Sequence, residues 1–187
     1  QVFGEPSTTG LSSTLDQFYA SWGDLANNPT SSAAKSVVQE RGSQVASMLN
    51  QFSTNLDQLS SNTLADATQK VSDINQYTAQ IANINKQIVA AEADGKTTAN
   101  DLRDMRDNAI DALSKIVPVR VIDQPNGSDT IYVAGATVVD GSSSSTFGLQ
   151  QSSGKVSLQL NGRAFSTQSP GGALGAEILG LDPTFPL

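Results

Sequence analysis

The chain has 187 residues and a net charge of −7, with 37% hydrophobic and only 5% aromatic residues, and it contains neither Cys nor His. The missing residue types exclude disulfides, thiol nucleophiles, Ser–His pairs and the usual zinc ligands. An acidic chain without a Lys/Arg cluster is a poor partner for nucleic acid or an anionic membrane surface, and no apolar run is long enough to span a bilayer.

Residues 1–10 carry turn chemistry and read as a lead-in; a start at Gln1 rather than Met suggests an excised piece of something longer. Leu11, Leu15, Phe18, Trp22 and Leu25 fall on one helical face, so a first helix is expected over about 11–26, with Trp22 in core or bundle packing. Asn27-Asn28-Pro29 stops it, because Pro disfavours the α conformation in the residue before it. Thr30, Ser31 or Ser32 can cap the next helix.

From about Thr30 to Ala93 the chain has no Pro and one Gly, Gly42. Leu64, Ala67, Val71, Ile74, Thr78, Ile81, Asn85 and Ile88 alternate steps of three and four, the heptad spacing of a and d positions. Val45, Leu49, Phe52, Leu56 and Leu59 keep the same rhythm, and the register drifts between Leu59 and Ala67 as a stutter would. One helix over this stretch would be on the order of 90 Å long at about 1.5 Å per residue. Such a rod cannot cover its own stripe and needs partner helices. Thr78 and Asn85 are expected to set register at some cost in stability.

Gly95 supplies a turn, and Thr98 with Asp101 resembles a capping box. A third helix over about 100–116 would present Leu102, Met105, Ala109, Leu113 and Ile116, run antiparallel to the end of the rod and cover Ile81 and Ile88. At Pro118 the periodicity switches to alternation. Val117/Val119/Val121, Ile131-Tyr132-Val133, Val138-Val139 and Val156/Leu158/Leu160 read as strands, with turns at Pro125-Asn126-Gly127, Gly135 and Asn161-Gly162. Ser142 to Ser145 read as a loop, and a turn or two of helix is expected near Leu174 to Leu179.

Three patterns are candidate sites, and each has a blander reading that is favoured. Gly95-Lys96-Thr97 lacks the earlier glycine of a phosphate loop, since Ala90 stands there. Glu92, Asp94, Gly95 and Asp101 form half a calcium loop, with Ala90 at its first position and Asp101 instead of Glu at its last. Asp101, Asp104, Asp107 and Asp111, with Arg103 and Arg106, read as a solvated or salt-bridged flank rather than an acid/base pair. No catalytic, cofactor-binding or metal-binding residue is assigned, and no enzyme activity or cofactor is expected.

Three segments together resemble the flagellar hook-associated protein 1 family. They are Glu5-Pro6-Ser7 through Gly10-Leu11, Leu15, Phe18, Ser21-Trp22, Leu25, Asn28-Pro29, Ser31 and Ala33-Ala34-Lys35; the seam at Ile74-Asn75 and Ile81-Ala82-Asn83-Ile84-Asn85; and Asn100 to Asp107 with Leu113-Ser114-Lys115. The resemblance covers roughly residues 3–165, and Ala176 to Leu187 depart from it. It implies a non-enzymatic axial protein of the bacterial flagellum that joins the hook to the filament. It further implies export by the flagellar type III secretion system and assembly outside the cell. The implied partners are copies of itself in a ring, hook protein, the next hook-associated junction protein and host antibodies, with no nucleic acid or membrane. The expected fold class is α+β: an elongated coiled-coil-like helical bundle with one very long helix over residues 1–117, then a small antiparallel β-rich outer domain with an irregular tail over 118–187. The alternative is an extracytoplasmic, ligand-sensing helical bundle of a bacterial receptor.

Overall fold

The computed structural model describes residues 10–95, 98–152, 155–165 and 170–181. The lead-in before Gly10, the Lys96-Thr97 step and the chain beyond 181 lie outside the described residues. The order is α1 (Leu11–Asn27), α2 (Ser32–Ala91), α3 (Asn100–Ser114), β1 (Val119–Asp123), β2 (Asp129–Val133), β3 (Ala136–Asp140), β4 (Ser143–Ser144), β5 (Phe147–Ser152), β6 (Lys155–Leu160), β7 (Arg163–Ala164) and α4 (Gly172–Gly180). The fold is α+β. The expected long helix is α2, 60 residues without a break. Contacts group the chain into two compact units, Gln1–Ser61 and Asn62–Leu187. The division falls inside α2 and not at 117/118, where the secondary structure changes.

In the first unit, Ser31 caps α2: its Oγ accepts the Ala34 amide at 3.2 Å, satisfying one of the orphan donors of the first turn. Helix α1 turns back through Asn28 and lies against the start of α2. Gly42 makes this close approach possible, since a Cβ there would meet Phe18 Cε2 at 3.4 Å. Arg41 Nη1 donates to Gln17 Oε1 at 2.7 Å across the pair. Trp22 does not enter a core. It stands edge-on to Phe18, ring centroids 6.2 Å apart, and is 51% exposed.

In the second unit, Ala67, Val71, Ile74 and Ile81 of α2 join Ala109 and Leu113 of α3, Val117, and Ile131, Val133, Val138, Val139, Phe147, Leu158 and Leu174 in one core. A small sheet cannot be stable with its apolar face in water, and here the helices cover it. Strands β1 to β4 form one antiparallel sheet in chain order, and β5 to β7 another. The register shifts between Ile131/Tyr132, which pair with Val139/Thr137, so Val138 is an extra residue. This bulge lets the adjacent Val138 and Val139 both turn inward. Ala134-Gly135 and Asn161-Gly162 take positive φ in succession, the backbone that two-residue hairpins demand.

Three expectations need correction. The Ser142–Ser145 loop contains β4, whose Ser143 and Ser144 pair with Asp140 and Val139. The capping box does not form: the N-cap of α3 is Ala99, with no side-chain cap bond, and Glu92 Oε1 accepts the Ala99 amide at 2.9 Å instead. On α3, Met105 does not belong to the buried face. It is 52% exposed, while Arg106 is buried beside Ala109 and Leu113.

Candidate functional site

Asn75, Asn85 and Arg106 are the polar side chains that hold the strands to the helices. Asn75 Nδ2 donates to Phe147 O at 2.9 Å and its Oδ1 accepts the Phe147 amide at 2.7 Å. The carboxamide thus replaces a missing strand for that residue. Asn85, fully buried, makes four bonds. Its Nδ2 donates to Asp129 O at 2.8 Å and Gly141 O at 2.9 Å. Its Oδ1 accepts the Asp129 amide at 3.1 Å and Arg106 Nη1 at 3.2 Å. All four hydrogen-bonding positions of the amide are filled, so its burial carries no desolvation debt. The polar seam position therefore ties α2 to the start of β2, to the β3–β4 turn and to Arg106 of α3 at once, and Thr78 simply returns its hydroxyl to Asn75 O.

Arg106 completes the knot. Nη1 also donates to Gly127 O at 2.8 Å, and Nε lies 2.9 Å from Asp129 Oδ2. Both partners of this pair are almost wholly buried. Burial pushes the Asp129 carboxyl up to about 6, against the pull of Arg106, and its cross-strand partner Asp123 adds to the rise. The sequence signal was present: Leu102, Arg106, Ala109 and Leu113 follow i, i+4, i+7, i+11. A reading that ranks positions by hydrophobicity passes over Arg in favour of Met.

At the α2–α3 turn, Arg103 Nε and Nη2 grip Glu92 Oε1 and Oε2 at 3.0 and 2.7 Å. That fork, with the Ala99 amide, holds the Glu92 carboxyl down at about 2. Glu92 is thus committed to closing the turn, not to a calcium loop. Asp101, Asp104, Asp107 and Asp111 are exposed along α3, as a solvated flank. Among the described residues, no three His, Cys, Asp or Glu are grouped to hold a metal, and no helix is long and apolar enough to cross a membrane.

The first unit offers a different kind of site. Among its described residues Val38 is the one hydrophobic side chain classed as buried, while Tyr19, Trp22, Val37, Leu49, Leu56 and Leu59 are exposed. Leu49, Leu56 and Leu59 are 51%, 43% and 51% exposed and continue the heptad rhythm of α2. An exposed apolar row at coiled-coil spacing is chemically a docking seam for another helix.

Residues 1–182 match the family model described as the flagellar hook-associated protein FlgK helical domain. The chain belongs to this family. It is 36% identical over 137 residues to flagellar hook-associated protein 1 of Bacillus subtilis, covering 73% of this chain and 27% of that protein. To the Escherichia coli protein of the same name it is 30% identical over 189 residues, covering 96% of this chain and 34% of the relative. The solved structure of the flagellar hook junction protein FlgK from Burkholderia pseudomallei superposes with a TM-score of 0.77 at 26% identity, over 92% of this chain and 33% of that one. The chain therefore spans about a quarter to a third of the length of these family members. Nothing in these matches supports the receptor alternative.

Proposed function

We propose that the chain is the helical module of a hook–filament junction protein, a structural part of the bacterial flagellum that works by packing between subunits and performs no reaction. The observation that carries this reading is the exposed heptad row Leu49, Leu56 and Leu59 on a helix of 60 residues. Many weak apolar and amide contacts spread along a long helix transmit load without chemistry. The family match supports placing the protein outside the cell, in the flagellum, with export through the flagellar type III secretion system. Its partners are copies of itself in a ring, hook protein and the next hook-associated junction protein. Residues 1–117 serve as the inner helical part and 118–187 as the outer β-rich part, whose polar strand faces, such as Gln150, Gln151 and Ser157, suit an outward surface open to host antibodies.

The test uses the full-length chain and purified hooks, observed by electron microscopy. The natural protein should cap hook ends. The Leu49→Asp/Leu56→Asp variant should leave them bare while far-UV circular dichroism shows its helices intact, because both side chains are already exposed. Capping by the variant would show that this row is not the assembly face; failure of the natural chain to cap hooks would overturn the reading itself.

A further inference from the structure

The chain contains two Asn-Gly steps, Asn126-Gly127 and Asn161-Gly162, and the structure treats their side chains in opposite ways. In the Asn161 step the carboxamide is tied at both ends: Oδ1 accepts the Thr146 amide at 2.9 Å and Nδ2 donates to Ser145 Oγ at 3.2 Å. The Asn161 amide also donates to Thr146 O at 2.8 Å. In the Asn126 step only the oxygen is held. Oδ1 accepts the Ser128 amide at 3.1 Å and Ser128 Oγ at 2.8 Å, while Nδ2 has no hydrogen-bond partner among the described residues. Both donors come from the residue after Gly127, so they fold the carboxamide over the Asn126–Gly127 peptide in an Asx turn. Asn126 is exposed and open to water.

We infer that Asn126 is a built-in site of deamidation, with Ser128 as its positioning residue, and that Asn161 is protected. The step is a cyclisation. The backbone nitrogen of Gly127, after giving its proton to hydroxide, bonds to Cγ of Asn126. The Cγ–Nδ2 bond breaks, and ammonia leaves with a proton from water. Water then opens the cyclic imide at either carbonyl, giving aspartate or isoaspartate. In sum, a carboxamide and water become a carboxylate and ammonium. As Gly127 N adds, negative charge gathers on Oδ1, where the two Ser128 donors already point and need no rearrangement. The leaving nitrogen has no bond to give up. Glycine offers no side chain to obstruct the approach. The bond from the Gly127 amide to Gln124 O at 3.0 Å must open first and sets the pace. At Asn161 the nitrogen is anchored by Ser145 Oγ and the oxygen by the Thr146 amide, both in the connection between β4 and β5, so the same motion breaks bonds at both ends.

The consequence reaches the core knot. Gly127 O accepts Arg106 Nη1, and a Cβ on Gly127 would sit 2.7 Å from Glu92 Oε2. An isoaspartyl link lengthens the backbone next to this crowded glycine, and the new carboxylate joins Asp123, Asp129 and Glu92. The modified chain should therefore hold the β1–β2 tip less tightly.

The experiment incubates the intact protein in mildly alkaline buffer and follows both Asn-Gly peptides by mass spectrometry, natively and in urea. In urea the two steps should react at similar rates. In the native protein Asn126 should outpace Asn161 by on the order of tenfold, the factor that one retained hydrogen bond is worth. Ser128→Ala should slow the Asn126 step several-fold natively and leave the urea rate unchanged. Native Asn161 reacting as fast as Asn126, or Asn126 remaining unmodified while both react in urea, would overturn the assignment. An unchanged native rate in Ser128→Ala would remove Ser128 from it.

Discussion

Replacing Arg106 by Met tests the Asn85–Arg106–Asp129 knot. Met keeps most of the aliphatic stem, so the loss is confined to the guanidinium. It removes the bonds to Gly127 O and Asn85 Oδ1 and the ion pair with Asp129. The buried Asn85 Oδ1 and the part-buried Gly127 O, each losing a charged donor, cost about 1.5 kcal/mol apiece, roughly 3 in all. The charge contribution follows from Asp129. Holding its carboxyl at about 6 rather than 3.8 already costs the ionised native state about 3 kcal/mol. Without Arg106 the carboxyl stays neutral, and taking up that proton at pH 7 costs about 4.4 kcal/mol, some 1.4 more. The variant should lose about 4 kcal/mol at pH 7, within the roughly 3–5 found when buried pairs are broken. At pH 5 the carboxyl is neutral in both proteins, so the charge contribution vanishes and about 3 kcal/mol remains. Urea unfolding of natural and variant chains at the two pH values, followed by far-UV circular dichroism and by hydrogen exchange of residues 127–133, measures both numbers. A loss below about 1 kcal/mol, or an equal loss at both pH values, would refute the account.

Other outcomes follow from the same geometry. Ile81→Asp puts a charge among Ala109, Leu113 and the sheet residues and should abolish the cooperative melting of the second unit; an unchanged melting temperature would show that α3 does not pack there. Ser31→Ala removes the α2 cap and should cost about 1 kcal/mol, read as faster hydrogen exchange in the first turn of α2. For pH, the raised Asp129 contributes stability that is full below 3.8 and lost as pH rises through about 6. The lowered Glu92 contributes stability present above 4.5 and lost as pH falls toward about 2. Together they place the stability maximum of the second unit near pH 4 to 5, and Glu92→Gln should flatten only the acid side of a pH series of urea titrations.

The three helices and most strands were legible because each rests on a local rule. A 3.6-residue stripe, the Asn-Pro stop, the Ser31 cap and the Asn-Gly hairpin all act over a few residues. What escaped is what depends on a distant partner. Phe147–Ser152 reads as Phe-Gly-Leu-Gln-Gln-Ser, too weak an alternation to announce a strand, yet it pairs along its whole length with β6 and is anchored by Asn75. Ser143–Ser144 is a strand only because β3 lies alongside. Met105 and Arg106 exchanged places because a buried Arg is stable only when its acceptors exist, and Gly127 O, Asn85 Oδ1 and Asp129 come from elements up to 23 residues away in sequence. Trp22 was expected in a core that residues 10–61 do not supply.

The two stretches of α2 show why a heptad rhythm does not by itself say what will cover it. Ile74, Ile81 and Ile88 are fully buried, whereas Leu49, Leu56 and Leu59 are about half exposed, though both sets fall on heptad positions of the same helix. The residues between them differ in kind. Beside exposed Gln76, Gln80, Lys86 and Gln87 on its outer flank, the buried row carries Asn75, Thr78 and Asn85 on its inner side, two amides that meet backbone groups of the strands and a hydroxyl that returns to the helix. Around the exposed row sit Gln51, Ser53, Thr54, Asn55, Asp57 and Gln58, side chains at home in water. A seam meant to be closed within the folding unit must satisfy the polar groups it buries, and on α2 Asn75 and Asn85 do so by bonding strand and turn backbone at both ends of their amides. A seam meant to be closed later, by another helix, must tolerate water first, and a narrow apolar row with a polar surround does that without inviting collapse. The polar residues flanking each row, rather than the apolar residues within it, therefore separate the part of α2 that folds the molecule from the part that is left to assemble it.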